Sequence, residues 1–263
     1  ASTDTRLIIS EHNMLSHSID SIKDRLVVRG AGTSYPLADH AVAVSEGVRR
    51  DLFAQTRLDD DSVSVIYNPV AIESIRKKAS KPVDHEWLVD NSLDVVLSGG
   101  RHEPQKGFDT LLDAFARLER DNVRLVLFGE GPETEALRDR VLELEIEEHV
   151  SFPGFVDNPY SYMSAADVFV LSSVHEGFGL VLIEAMACGC PIVSTDCPSG
   201  PDEILDHGEY GTLVPVGETE GLSDGIVEML EDPTDSDSLL ARASEFGTDS
   251  SIENYANLFN SMK

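Results

Sequence analysis

This chain has little lysine and little cysteine. Only six of its 20 basic residues are lysines, and they face 48 aspartates and glutamates, for a formal net charge of −28. A surface this acidic repels nucleic acid, whose binding rests on neutralising phosphates with lysine and arginine. The three cysteines, Cys188, Cys190 and Cys197, fit neither a zinc spacing nor the disulfide framework of a secreted domain. "CGC" at 188–190 reads as small buried residues at a helix end, which points to a reducing cytoplasm. No apolar run reaches the roughly 20 residues of a membrane span, and no signal peptide is read at the start. No repeat or low-complexity segment is evident. "GEGP" at 129–132 is neither GxGxxG nor a Walker loop, so dinucleotide oxidoreduction and P-loop hydrolysis find no support.

The acids are spread through every segment instead of forming a tail. That favours adaptation to a salt-rich cytoplasm, where screening makes self-repulsion tolerable, over a specific basic partner. Unfolding should therefore occur at higher temperature in molar KCl than in dilute buffer; maximal stability in dilute buffer would overturn this reading. One basic cluster stands out, "IRKKASK" with Arg76, Lys77, Lys78 and Lys81. It reads as a solvated linker face, with peripheral contact to a membrane surface as the alternative.

The 263 residues, 41% of them hydrophobic, suffice for one large or two smaller α/β units. From Leu93 onward strands and helices alternate. "DVVLSGG", "VRLVLFGEG", "VSFPG", "ADVFVLSS", "CPIVST" and "GTLVPV" read as strands. "GFDTLLDAFARLER" reads as a helix, with Phe108, Leu111, Leu112 and Phe115 at i, i+3, i+4 and i+7. "TEALRDRVLELEI" and "GLVLIEAMACG" are the next two helices. Continuous apolar strands between amphipathic helices predict a parallel sheet covered on both faces. Before it, "RLIISEHN", "HAVAVS" and "VSVIYNPV" read as strands of a shorter α/β piece, with "GVRRDLFAQ" a helix between the last two. Three strands fall short of a doubly wound domain, and their apolar faces, "LIIS" and "AVAV", are expected to lie uncovered. Pro69 and Pro82 mark the stretch between the two pieces as a connector.

In open parallel sheets, ligands bind at the carboxyl ends of the strands. Arg101 and Lys106 follow one strand, Gly129 and Glu130 another, "HEGFG" at 175–179 a third, and "TDCPSGPDE" a fourth. Gly177 and Gly179 let a backbone approach a ligand where a helix begins, and its first N–H groups favour an anion. With Arg101 and Lys106 adding formal charge, a diphosphate is the natural guest. Glu176 stands beside it, positioned to meet an attached sugar. Glu184 could accept ribose hydroxyls or be only an exposed helical carboxylate. The run Asp59-Asp60-Asp61 reads as an acidic loop and not as a metal motif.

The ordered segments "GGRHEPQKGFDTLLDAFARL", "LFGEGPE" and "VSFPGFVDNPYSYMSAADVFVLSSVHEGFGLVLIEAMACGCPIVSTDCPSGPDEIL" resemble the donor-binding half of glycosyltransferase family 4, retaining enzymes of the GT-B fold. The E-x7-E element is present as Glu176 and Glu184. "AVAVSEGVRRDL" and "VSVIYNPV" resemble the end of the family's first domain, and "SEFGTDSSIENYANLFNSMK" its returning last helix. The resemblance implies an α/β chain of GT-B type with a partial N-terminal Rossmann-like unit at 1–70, a linker at 71–93, a complete Rossmann-like nucleotide-sugar-binding unit at 94–245, and a helix at 246–263 packing back. It implies that Arg101 and Lys106 hold the donor diphosphate and that Glu176 contacts the sugar at the reacting centre. Glu184 would hold the ribose, and main-chain groups of Gly177, Phe178, Gly179 and Leu180 the sugar and phosphates. Gly154, Phe155 and Val156 would flank the base. By their place at strand ends, Gly129 and Glu130 are read as lining the donor site, and His12 as facing the acceptor side of the cleft or as an ordinary loop histidine. No metal and no cofactor are expected.

The activity implied by the resemblance is that of a transferase moving a hexose or N-acetylhexosamine, UDP-linked, to a glycan or lipid-linked acceptor, in the cytoplasm or at the inner membrane face. The family's usual first strands and glycine-rich loop are not found, so a second polypeptide completing the N-terminal unit is one expectation. A non-catalytic nucleotide-sugar-binding fragment and a GT-B epimerase stand as alternatives.

Overall fold

A computed structural model describes residues 5–17 and 22–262. The strands are β1 (Ile8–Glu11), β2 (His40–Ala43), β3 (Val63–Val65), β4 (Asp94–Gly99), β5 (Val123–Phe128), β6 (Val150–Ser151), β7 (Val168–Leu171), β8 (Ile192–Thr195) and β9 (Thr212–Val214). They form two parallel sheets, ordered β1-β2-β3 and β6-β5-β4-β7-β8-β9. The helices are α1 (Ile22–Ser34), α2 (Glu46–Gln55), α3 (Ile72–Ala79), α4 (Phe108–Phe115), α5 (Thr134–Glu143), α6 (Pro159–Ala165), α7 (Leu180–Ala187), α8 (Pro201–Ile204), α9 (Thr219–Glu231), α10 (Ser236–Glu245) and α11 (Thr248–Ser261).

The larger sheet is apolar on both faces because both are covered. Successive side chains of a strand point to opposite faces. Val95 and Leu97 of β4 accordingly join a core with Met163, Leu182, Met186 and Leu239, from α6, α7 and α10. Val96 between them packs with Phe108, Leu111, Leu137, Leu222 and Ile226, from α4, α5 and α9. The α4 periodicity is realised: Phe108, Leu111, Leu112 and Phe115 are all buried.

The smaller sheet departs from expectation. "AVAV" is not uncovered: Ala41, Val42, Ala43 and Val44 are all at most 1% exposed. Ala41 and Ala43 pack with Val28, Ala31, Val48 and Leu52 from α1 and α2. Val42, on the other face, packs with Ile66 and with Leu258 of α11. The cover thus comes from far along the chain, where strand patterning cannot announce it. In "LIIS" Leu7 remains exposed while Ile8 and Ile9 are half-buried.

Two short segments join the units side by side. Val70 N donates to Phe246 O at 3.1 Å, and Val70 bridges Gly247. Ser251 Oγ donates to Tyr67 O at 2.8 Å, which seats the start of α11. The connector is more ordered than its two prolines suggest. It contains α3, whose Ile72 and Ile75 are buried and which packs on α6 and α7. Among the described residues no helix is long and apolar enough to cross a membrane.

Candidate functional site

The chain runs from β4 outward through β5 and β6, then returns to the other side of β4 for β7, β8 and β9. The carboxyl ends of β4 and β7 therefore meet at the topological switch point, where open α/β sheets form their crevice. Lys106 comes from the first of these loops and Glu176 from the second. Lys106 Nζ lies 2.7 Å from Glu176 Oε1, with side chains only 22% and 11% exposed. At that burial the pair escapes much of the solvent screening that weakens surface ion pairs. Ser173 Oγ donates to the same Glu176 oxygen at 2.7 Å.

The two loops are also tied through backbone. Gln105 Nε2 donates to His175 O at 2.8 Å, Val174 N to Gln105 O at 2.8 Å, and Ser172 Oγ to Lys106 O at 2.8 Å. The approach needs glycine at 107, where φ is +59° and a Cβ would stand 2.3 Å from Ser172 O.

"HEGFG" is held from both units. Gly177 O accepts from Ser199 Oγ at 2.8 Å and Ser45 Oγ at 3.2 Å. His12, just after β1, brings its carbonyl so close to Gly177 that a Cβ there would be 2.2 Å away; its ring Nε2 lies 3.1 Å from Ser10 Oγ. The Phe178 side chain is buried and stacks on Tyr67, ring centroids 4.8 Å apart, with Phe246 at its edge. Gly179, left-handed at φ +87°, precedes α7 without a side-chain cap. The first N–H groups of α7, starting at the partly exposed Leu180, therefore lack a side-chain acceptor.

Arg101 stands apart from this pair. Its side chain is 70% exposed and its Nε is 3.0 Å from Glu103 Oε1. The loops after β5 and β6 join each other: Gly129 N donates to Gly154 O at 2.7 Å, and Glu130 Oε1 lies 3.0 Å from where a Gly154 Cβ would sit. Phe155 is exposed beside them and Val156 half-buried.

Glu184 is not the exposed carboxylate of the bland alternative. It is largely buried and accepts from Tyr160 Oη at 3.1 Å. Burial pushes its carboxyl above the usual range, while the Tyr160 bond and the Lys78 charge pull the other way. The Tyr160 phenol is itself pushed up to about 12, by burial first and then by Glu184.

Sequence reasoning passed over Ser173, Ser45, Ser199 and Tyr160, none of which sits in a spacing that marks it, and it read Lys78 only as part of a solvated basic face. It quoted Glu203 within "GPDEIL" without giving it a role. The Glu203 carboxylate takes the N–H groups of Glu46 and Gly47 at 2.8 and 2.9 Å, and so binds the start of α2 across the two units. Among the described residues no three histidine, cysteine, aspartate or glutamate side chains converge as metal ligands. Asp59 shares a capping box with Ser62, and Asp60 pairs with Arg49 at 2.5 Å.

Residues 83–248 match the model of the family described as glycosyl transferases group 1. The chain belongs to that family.

This group 1 chain is 34% identical over 233 residues to the N-acetylgalactosamine-N,N'-diacetylbacillosaminyl-diphospho-undecaprenol 4-alpha-N-acetylgalactosaminyltransferase of Campylobacter jejuni, covering 87% of this chain and 61% of that one. It is 30% identical to the N-acetyl-alpha-D-glucosaminyl L-malate synthase of Bacillus anthracis, covering 74% and 51%. The group 1 chain thus spans about half to three-fifths of the length of these curated relatives. Among solved structures, HepE from Anabaena in complex with UDP and glucose superposes with a TM-score of 0.84 at 27% identity, covering 97% of this chain and 72% of that one. The α/β architecture of this group 1 member, with its two parallel Rossmann-like sheets, is that of GT-B glycosyltransferases.

Proposed function

We propose that the chain carries the donor site of a retaining glycosyltransferase of family 4, which moves a hexose or N-acetylhexosamine from a UDP-sugar to a glycan or lipid-linked acceptor. The observation that carries the reading is the Lys106–Glu176 pair at the switch point, 2.7 Å apart beside the uncapped start of α7. An anion entering there meets the α7 N–H groups and the Lys106 ammonium together. Arg101, exposed earlier in the same loop as Lys106, can swing from Glu103 to the same phosphates. As the sugar–phosphate bond breaks, negative charge grows on the leaving diphosphate, and these groups are placed to stabilise it. Glu176 faces the sugar, with Ser173 fixing the carboxylate. Glu184 takes the ribose, Gly154, Phe155 and Val156 flank the base, and Gly129 and Glu130 complete the wall. His12 stands on the acceptor side.

No metal ion enters this reading, because Arg101, Lys106 and the α7 terminus already answer the charge. The names of the relatives support the substrate classes: one acts on a diphospho-undecaprenol acceptor, and HepE is seen with UDP and glucose. An acceptor of that kind would bring the protein to the inner face of the membrane. The acidic surface supports work in a salt-rich cytoplasm. A further polypeptide segment completing the smaller unit would supply the rest of the acceptor wall.

Calorimetric titration with UDP, GDP and their sugar conjugates, in concentrated KCl, tests the reading. Saturable binding of a UDP-sugar, weakened by Lys106→Met, is the expected result. A folded sample that binds none of them overturns it.

A further inference from the structure

The connector places a lysine where the sequence suggested a solvated face. Arg76 meets that expectation, pairing with Glu73 on its own helix. Lys78, though exposed, lies over the Tyr160 ring, its Nζ 5.3 Å from the centroid. The Tyr160 hydroxyl in turn donates to Glu184. Lys78, Tyr160 and Glu184 line one recess together with Ser74, Ile75 and Leu180. The end of α3 is fastened there, since Asn158 Nδ2 donates to Lys78 O at 2.9 Å. One aromatic ring thus presents its face to a cation and its hydroxyl to a carboxylate.

We propose that Lys78 and Tyr160 are positioning residues of the nucleotide subsite, the tyrosine orienting the Glu184 carboxylate and the lysine holding a positive charge beside it. The inference rests on the nucleotide-sugar reading, in which Glu184 receives ribose hydroxyls. It makes the connector part of the donor site: α3 lies between the two sheets in sequence, yet supplies a charge to the recess of the second.

A carboxylate accepts two hydroxyl hydrogen bonds well only while ionised, and burial works against ionisation. The charged or titratable groups facing Glu184 are Tyr160 from α6, Lys78 from α3 and Cys188 from the end of α7 itself. Burial pushes the Cys188 thiol up to about 12 and the Tyr160 phenol likewise, so both stay neutral in the working range. Lys78 is the charge whose removal Glu184 feels. The Glu184 pKa is raised in the folded protein, so the ionised form is lost as pH falls through that raised value. Without Lys78 the value rises further and the loss begins at higher pH.

The test has two arms. In the first, the full chain without ligand is labelled at the glutamate carboxyl carbons, and Glu184 is assigned by its disappearance in Glu184→Gln. Its titration midpoint should move upward in Lys78→Met and in Tyr160→Phe, and return in Lys78→Arg. In the second, UDP affinity is measured by calorimetry. Lys78→Met should lose roughly threefold to tenfold, with the larger loss at the more acid pH, as expected of a partly screened charge. Wild-type midpoints and wild-type UDP affinity in both Lys78→Met and Tyr160→Phe, in samples shown to be folded, overturn the proposal. If the midpoints move but the wild-type chain binds no UDP, the nucleotide reading fails and the subsite assignment with it. Midpoints that stay fixed in a chain that does bind UDP overturn this inference alone.

Discussion

Replacing Glu176 by glutamine should lower turnover by about 100-fold or more, roughly 2.7 kcal/mol of barrier, while leaving the protein folded. Glutamine keeps the shape and the bond from Ser173 but removes the charge that Lys106 faces at 2.7 Å. In the proposed mechanism that charge stands beside the carbon from which the diphosphate departs. Its loss should appear in kcat more than in KM, because the positive charge it stabilises develops in the transition state. Arg101→Ala should cost a comparable factor through the leaving group. Turnover should be measured with the UDP-sugar that titration identifies, on samples whose thermal unfolding matches the wild type. Near-normal kcat in folded Glu176→Gln would remove that residue from its role.

Gly200→Ala should destabilise the protein by roughly 3 kcal/mol or more. Two costs coincide at this position. Its φ is +100°, which a residue with a Cβ rarely adopts, and the added Cβ would stand 1.8 Å from Phe178 O and 2.4 Å from Phe178 C. Phe178 cannot retreat freely, since its ring is stacked on Tyr67 with Phe246 at its edge. The strain must therefore pass either into α8, which carries Glu203, or into the "HEGFG" loop. Gly217→Ala is the matched control. Its φ is +80° but nothing lies within 4 Å of the new Cβ, so it should lose only about 1 kcal/mol for the backbone conformation. Urea unfolding of the three proteins separates the terms, and a Gly200→Ala midpoint equal to that of Gly217→Ala would show that Phe178 does not pin the loop.

The part of the fold legible in the sequence is the part whose signal is local. Apolar strands such as "VFVL" announce a sheet covered on both faces, and the α4 periodicity announces one of the covers. The Lys106 and Glu176 candidates follow from strand ends alone, because a parallel sheet sends all its strand-to-helix loops to one edge. The rest was hidden for a physical reason. Lys78 stands on a helix of eight residues with two buried isoleucines, too few to read as amphipathic between two prolines. Its partnership with Tyr160 and Glu184 exists only after three helices have packed. The burial of Val42 by Leu258 is equally silent, since each is an ordinary apolar residue within its own segment. Ser173 acts by a single hydroxyl, and no spacing rule distinguishes it from its neighbour Ser172.

The seating of α11 on the smaller sheet sets an order of events during synthesis. β2 and β3 emerge from the ribosome early, but the residue that closes over Val42 and Ile66 is Leu258, and the bond that starts its helix spans from Tyr67 to Ser251. A ribosome adds on the order of ten residues per second, so β3 waits roughly twenty seconds for Leu258, and the larger sheet is complete about four seconds before that cover is made. Of the two sheets, the one made first is finished last. Until then one face of its strands is open to whatever the cell offers, which makes the smaller sheet the place where a nascent chain would engage a chaperone.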